Sequence, residues 1–146
     1  MKLFYAPGAC SIGIHVMLEE IGAPYEAVAV NLREGAQFQP GFTAVNPKSK
    51  VPTLQREDGS VLTEWPAIAT WLALNHPDKG LLSLEKEPLA RTLEAVDYIC
   101  ASLHMQGFTR IDLTSDGVPD ATTLLKFRHL LETNDLCKSL FTAINA

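Results

Sequence analysis

The first residue able to carry covalent chemistry is Cys10, which follows the Pro7-Gly8 turn in the stretch "FYAPGACSIGIH" (residues 4–15). The apolar spacing that begins at Ile14 predicts a helix directly afterwards, so the thiol is expected at a helix start. Unpaired N–H groups and the positive end of the helix dipole stabilise a thiolate at such a position. The alternative interpretation is that Cys10 is a small buried hydrophobic side chain.

The spacing of the cysteines restricts the chemistry further. Ser, Ile and Gly follow Cys10, so it has no partner at C-x-x-C spacing, and Cys100 and Cys137 lie far along the chain. An odd number of widely spaced cysteines argues against a dithiol oxidoreductase, a disulfide framework and a zinc site. A one-thiol site must take its partner sulfur from elsewhere, and glutathione is the obvious soluble source.

Short elements in residues 1–75 must position this thiol. The pattern predicts a strand at 2–5, a helix over 14–21 ended by Gly22, a strand at 25–32, irregular structure with one short helix over 33–47, two short strands around Asp58-Gly59, and a helix that starts at Thr63 or Glu64. The opening strand–helix–strand unit requires a parallel pair, and the hairpin adds an antiparallel edge. The sequence therefore predicts an α/β sandwich of the thioredoxin type.

A polar segment and a second helix follow. Residues 76–88 contain prolines and a glycine among polar residues, which is typical of a linker. Beyond it, apolar side chains recur at alternating spacings of four and three and predict a longer helix over 89–108. These side chains are Leu89, Leu93, Val96, Cys100 and Leu103.

Composition excludes several classes of protein. The 146 residues carry a net charge of −5, whereas a nucleic-acid-binding surface is normally basic. The longest apolar run is far shorter than the roughly 20 residues that span a bilayer. Pro7 and Gly8 interrupt the N-terminus before a signal peptide's apolar region could form. We therefore expect a cytoplasmic protein that binds neither nucleic acid, nor a membrane, nor a metal.

Blocks of sequence carry a resemblance over residues 1 to about 108. "MKLFYAPGACS" (1–11), "VNPKSKVPTL" (45–54), "DGSVLTEWPAIATWLA" (58–73) and "LEAVDYICASLHMQGF" (93–108) together resemble a bacterial glutathione S-transferase. The beta class is the most similar, because it has Cys where other classes use Tyr or Ser. The resemblance implies a thioredoxin-like glutathione-binding domain at 1–75, followed by a truncated all-α domain of which 89–108 is the first helix.

The resemblance also implies roles for individual residues. Cys10 matches the catalytic cysteine that contacts the glutathione sulfur and forms a mixed disulfide with it. Val51 and Pro52 match a cis-proline element whose backbone pairs with the cysteinyl part of glutathione. Glu64 and Trp65 stand where the γ-glutamyl group is held. The alternatives are an ordinary strand-start proline at 52 and a helix-start acid at 64.

Two further residues match positions on the long helix. Asp97 stands where the beta class often has Asn, and His104 matches a catalytic histidine near the thiol end of the site; the alternative for His104 is a structural role. The chain also departs from the family, since Trp65 replaces a Ser or smaller residue. It lacks the lysine that often lies near the glycine carboxylate, for which Arg33 or Lys50 is the available substitute.

The C-terminal stretch resembles a different family. Residues 109–146, around "VPDATTLLKFRHLLE" (118–132), are similar to an N-terminal part of bacterial insertion-sequence transposases. That resemblance implies a transferase gene interrupted by a mobile element. The alternative is a divergent helical tail.

Three functional hypotheses follow. The first is a glutathione transferase for detoxification that activates the glutathione thiol against an electrophile or exchanges it with a disulfide, with a homodimer as a possible assembly. The second is a catalytically inactive, glutathione-binding remnant. The third is a transposase-derived DNA-interacting piece, which the acidic balance disfavours.

Overall fold

The structure, a computed structural model, describes residues 1–107. The predictions for residues 108–146 lie outside the described residues. The elements within the described range are the strands β1 (Lys2–Tyr5), β2 (Glu26–Ala29), β3 (Thr53–Gln55) and β4 (Val61–Thr63), and the helices α1 (Ile12–Ile21), α2 (Pro40–Thr43), α3 (Trp65–Asn75) and α4 (Lys86–Tyr98). Short 3₁₀ turns lie at Leu32–Glu34, Ala36–Phe38 and Pro77–Lys79.

The strands form one mixed sheet in the order β2-β1-β3-β4. β1 pairs with β2 in parallel, and Leu3 lies opposite Ala27. β1 pairs with β3 antiparallel, with Leu3 opposite Leu54, and the hairpin of β3 and β4 continues the sheet. The thioredoxin-like α/β architecture expected of the N-terminal region is confirmed.

Helices α1 and α3 pack against the sheet and supply most of its core. The apolar spacing predicted for α1 is confirmed, since Ile14, Leu18 and Ile21 are buried. Gly22 ends α1 in the left-handed conformation, and its N–H donates to the last carbonyls of the helix. The buried cluster consists of Leu3, Ile14, Leu18, Ile21, Leu54, Ile68, Ala69 and Leu72.

The second strand is shorter than its sequence pattern predicts. Residues 25–32 alternate suitably, but β1 offers only four residues, and Tyr5 pairs with Ala29 at the end of the ladder. The Val30 N–H still donates to the Tyr5 carbonyl at 2.7 Å, and the chain then turns into the 3₁₀ segment that begins at Leu32. The strand ends because its partner β1 ends at Tyr5, although the β propensity of its residues continues further.

Helix α4 begins earlier than the apolar spacing predicts. It starts at Lys86, and the Leu89 N–H donates to the Glu85 carbonyl at 2.9 Å. The helix continues beyond Tyr98 as a π-helical segment, Ile99–Gly107. Among residues 1–107, no helix is long and apolar enough to cross a bilayer.

Candidate functional site

Cys10 lies in a tight turn between β1 and α1. Helix α1 has Ser11 as its N-cap, so Cys10 stands just before the helix. The buried Ser11 hydroxyl donates to the Ala6 carbonyl and accepts from the Ala6 N–H, each at 3.2 Å. The Ala9 N–H also donates to the Ala6 carbonyl. These bonds close the turn and hold the cysteine at the end of the first strand.

The Cys10 thiol is half-buried and faces a backbone carbonyl. Its Sγ lies 3.8 Å from the Val51 oxygen, to which the S–H donates a weak hydrogen bond. Burial raises the pKa of Cys10, and a hydrogen bond from its own backbone N–H offsets this only in part. The position before a helix favours the thiolate, as the sequence predicts, but desolvation has the larger effect on this pKa. At neutral pH the sulfur is therefore protonated and is a hydrogen-bond donor.

The loop that carries Val51 and Pro52 is held by buried polar groups. The bond between these two residues is cis, and Pro52 is buried. Asn46, almost fully buried, donates to the Lys50 carbonyl and to the Thr53 hydroxyl, each at 2.9 Å. The Thr53 hydroxyl in turn donates to the Lys50 carbonyl at 2.8 Å. The Asn46-Pro47 dipeptide is a turn signal, but no sequence pattern predicts this hydrogen-bond network.

The start of α3 forms a third part of the site. Glu64 adopts φ 70° and ψ 125°, an uncommon conformation for a residue other than glycine. No side-chain hydrogen bond caps this helix start among the described residues, and Pro66 has no N–H. The N–H groups of Trp65 and Ala67 therefore lie at a helix N-terminus, where anions bind readily.

Glu64 already has a cationic partner. Lys48 Nζ lies 2.9 Å from the Glu64 carboxylate and donates to the Thr63 hydroxyl at 2.9 Å. Both side chains of the ion pair are about half exposed, at 55% and 56%. No sequence pattern predicts a role for Lys48, whereas the resemblance offers Arg33 or Lys50 as the cationic residue of the site. Both of those side chains are exposed, and a role for either stays a prediction.

Trp65 connects α3 to the cysteine turn. Its indole N–H donates to the Cys10 backbone carbonyl at 3.1 Å, across 55 residues of sequence. The indole donor is thus used inside the protein. Trp71, the other tryptophan, packs against the core, and the Arg56 guanidinium lies 5.6 Å from the centroid of its ring.

The residues predicted from the long helix lie on α4 and its π-helical continuation. Burial raises the pKa of Cys100, and the negative charges of ionised Cys10 and Asp97 raise it further. The sequence pattern predicts Cys100 only as an apolar position of the long helix. Asp97 is exposed and His104 is half-buried. Their roles toward a ligand stay predictions.

Comparison with known proteins finds relatives of the N-terminal region. The family "Glutathione S-transferase, N-terminal domain" matches residues 8–74. "Glutathione S-transferase GstA" of Escherichia coli O157:H7 is 42% identical over 111 residues, which are 75% of this chain and 55% of that protein. The chain spans about half the length of such relatives.

Solved structures show the same similarity. A sphingomonad glutathione S-transferase complexed with glutathione has 39% identity and a TM-score of 0.65, over 71% of this chain and 53% of that one. A beta-class enzyme of Sphingomonas chungbukensis has 37% identity and a TM-score of 0.65, with the same coverage. The N-terminal region of this chain is thus a glutathione S-transferase N-terminal domain of the thioredoxin-like fold, and its relatives include bacterial beta-class enzymes.

Proposed function

We propose that the protein binds glutathione along the edge formed by Cys10, the Val51-Pro52 loop and the start of α3, and activates the glutathione thiol. The observation that supports this proposal most directly is that Cys10 contacts both the Val51-Pro52 loop and the start of α3. Its sulfur bonds the Val51 carbonyl, and its own carbonyl accepts from Trp65. The relatives that bind glutathione support the same ligand.

Each end of the tripeptide has a complementary group. The N–H groups at the start of α3 suit the α-carboxylate of the γ-glutamyl residue, and the Glu64 carboxylate suits its ammonium. Lys48 must then move away from Glu64 or share it, which costs little because exposed ion pairs are weak. The backbone of Val51 pairs with the cysteinyl residue like an added strand. In this arrangement Asp97 borders the site from α4, and His104 borders it from the π-helical segment that follows.

Cys10 acts here as a donor to the ligand. Because burial keeps its thiol protonated, the S–H turns from the Val51 carbonyl toward the glutathione sulfur and stabilises the glutathione thiolate. That thiolate attacks the electrophile, forms a carbon–sulfur bond and expels the leaving group. With glutathione disulfide, a deprotonated Cys10 instead attacks one sulfur, forms a mixed disulfide and releases one glutathione thiolate.

Calorimetric titration with reduced glutathione tests the proposal, with S-methylglutathione as the matched ligand that lacks a thiol. We expect saturable binding of glutathione by the folded chain, and weaker binding of the S-methyl compound. No binding by a folded, monodisperse chain would overturn the proposal.

A catalytically inactive binder is the second candidate. The chain covers 55% of GstA and 53% of the sphingomonad enzyme, so the activity of those proteins has to be tested for this chain. Thioether formation from glutathione and a dinitrohalobenzene separates the two candidates. Turnover above the Cys10→Ala level supports the transferase, because alanine has no donor for the glutathione thiolate, whereas binding without turnover supports the inactive binder. The transposase-like interpretation of residues 109–146 stays a prediction, as do a homodimer and a cytoplasmic location.

A further inference from the structure

The indole of Trp65 fills a gap that only glycine leaves open. A Cβ atom added to Gly13 would lie 2.9 Å from Cζ2, 3.0 Å from Nε1 and 3.2 Å from Cε2 of the Trp65 ring. Gly13 has no left-handed φ, so its backbone does not require glycine. The close approach of the ring is therefore what excludes a side chain at this position.

The ring cannot easily move away from this contact. It is rigid, half-buried and packed against the core cluster, and its N–H is already directed at the Cys10 carbonyl. The same carbonyl accepts the Gly13 N–H at 3.1 Å. Trp65 and the first turn of α1 thus hold one peptide group from two sides, and that group carries Cys10.

We propose that Trp65 is a positioning residue for Cys10: its indole, seated on Gly13, holds the Cys10 backbone so that Sγ stays at the Val51 carbonyl. This inference rests on the proposed function for its consequence, which is that glutathione meets an oriented thiol. The contacts of Trp65 themselves are present in the protein without glutathione.

The test compares Trp65→Phe, which keeps an aromatic ring but loses the donor, with Trp71→Phe as the matched control on the same helix. Alkylation of Cys10 by iodoacetamide is followed against pH in the full chain, with peptide-resolved mass spectrometry to separate it from the other thiols. We expect Trp65→Phe to speed alkylation at neutral pH by about fivefold, the equivalent of one ordinary hydrogen bond. Its pH profile should also shift toward that of an exposed cysteine, whereas Trp71→Phe should leave both unchanged.

The Gly13 contact supplies a second, coupled variant. Gly13→Ala should change the Cys10 profile in the wild-type background, because the added methyl group displaces the indole. In the Trp65→Phe background it should change the profile much less, because the smaller ring leaves room. Additive effects of the two substitutions would overturn the proposal, as would a folded Trp65→Phe variant with the wild-type profile.

A measurement on the wild-type protein covers the case in which Trp65→Phe does not fold. The indole N–H of Trp65 should exchange with solvent at least about tenfold more slowly than that of Trp71, since it is hydrogen-bonded. Equal exchange rates would overturn the proposal. Neither alkylation nor exchange uses glutathione, so a failure to bind glutathione would refute the proposed function and leave this inference to be judged separately.

Discussion

The Cys10 thiol donates to the Val51 carbonyl at 3.8 Å, although 41 residues separate the two in sequence. The contact joins the turn after the first strand to the loop before the third, which are neighbours because β1 and β3 are paired. It places a protonated sulfur beside backbone groups that suit an extended peptide ligand. The site therefore exists only where these two connections meet.

Replacing Cys10 by serine should abolish mixed-disulfide formation with glutathione disulfide and leave the fold intact. Serine retains a hydroxyl donor for the Val51 carbonyl but has no sulfur to form the bond. Intact-mass spectrometry after incubation, with localisation of the adduct by peptide mapping, measures the outcome. Cys100→Ser is the control and should keep the Cys10 adduct. An adduct at the same level in Cys10→Ser would refute the assignment of this cysteine.

The reactivity of Cys10 should rise with pH over a higher range than that of an exposed cysteine. Burial favours the neutral thiol and raises the pKa of Cys10, so the reactive thiolate forms only at more alkaline pH. The alkylation profile should therefore have its midpoint above about 8.5, the ordinary value for a free cysteine. A midpoint below that value would show that the helix start, rather than burial, determines the pKa.

Replacing Asn46 by alanine should destabilise the described unit by about 1–3 kcal/mol, because the buried Thr53 hydroxyl and two backbone groups of the loop lose a hydrogen-bond partner. It should also weaken glutathione binding, since Asn46 holds the loop that carries Val51 and Pro52. Urea unfolding and calorimetry measure the two effects. Asn75→Ala, which removes an exposed amide bonded to the Trp71 carbonyl, should change stability by less than about 0.5 kcal/mol. Equal effects of the two substitutions would contradict the role given to Asn46.

Replacing Glu64 by glutamine should weaken glutathione binding far more than it weakens the fold. The Lys48–Glu64 pair is half exposed, so its loss should cost at most about 1 kcal/mol of the free energy of unfolding. Loss of a charged partner for the ligand ammonium should lower affinity by about tenfold or more. Glu87→Gln, in an exposed ion pair with Arg91, is the matched control. Unchanged affinity in a folded Glu64→Gln variant would remove Glu64 from the proposed site.

The sequence alone determined the local elements and the type of fold. Apolar spacing predicted the buried face of α1, and the Asp58-Gly59 pair predicted the β3–β4 hairpin, because both signals act over a few residues. The N-terminal resemblance indicated the family through residues close together in sequence. Local patterns did not predict the ion pair of Lys48, the hydrogen bonds of Asn46 or the raised pKa of Cys100.

The tertiary structure decided how the parts of the site interact. Burial of the Cys10 sulfur, which reverses the effect expected of a helix start, depends on neighbours that no local pattern specifies. The Trp65 indole contacts Gly13 and the Cys10 carbonyl only because α1 and α3 pack side by side. The length of β2 likewise depends on its partner strand. Desolvation, close packing and pairing are properties of groups brought together from distant positions, so only the folded chain determines them.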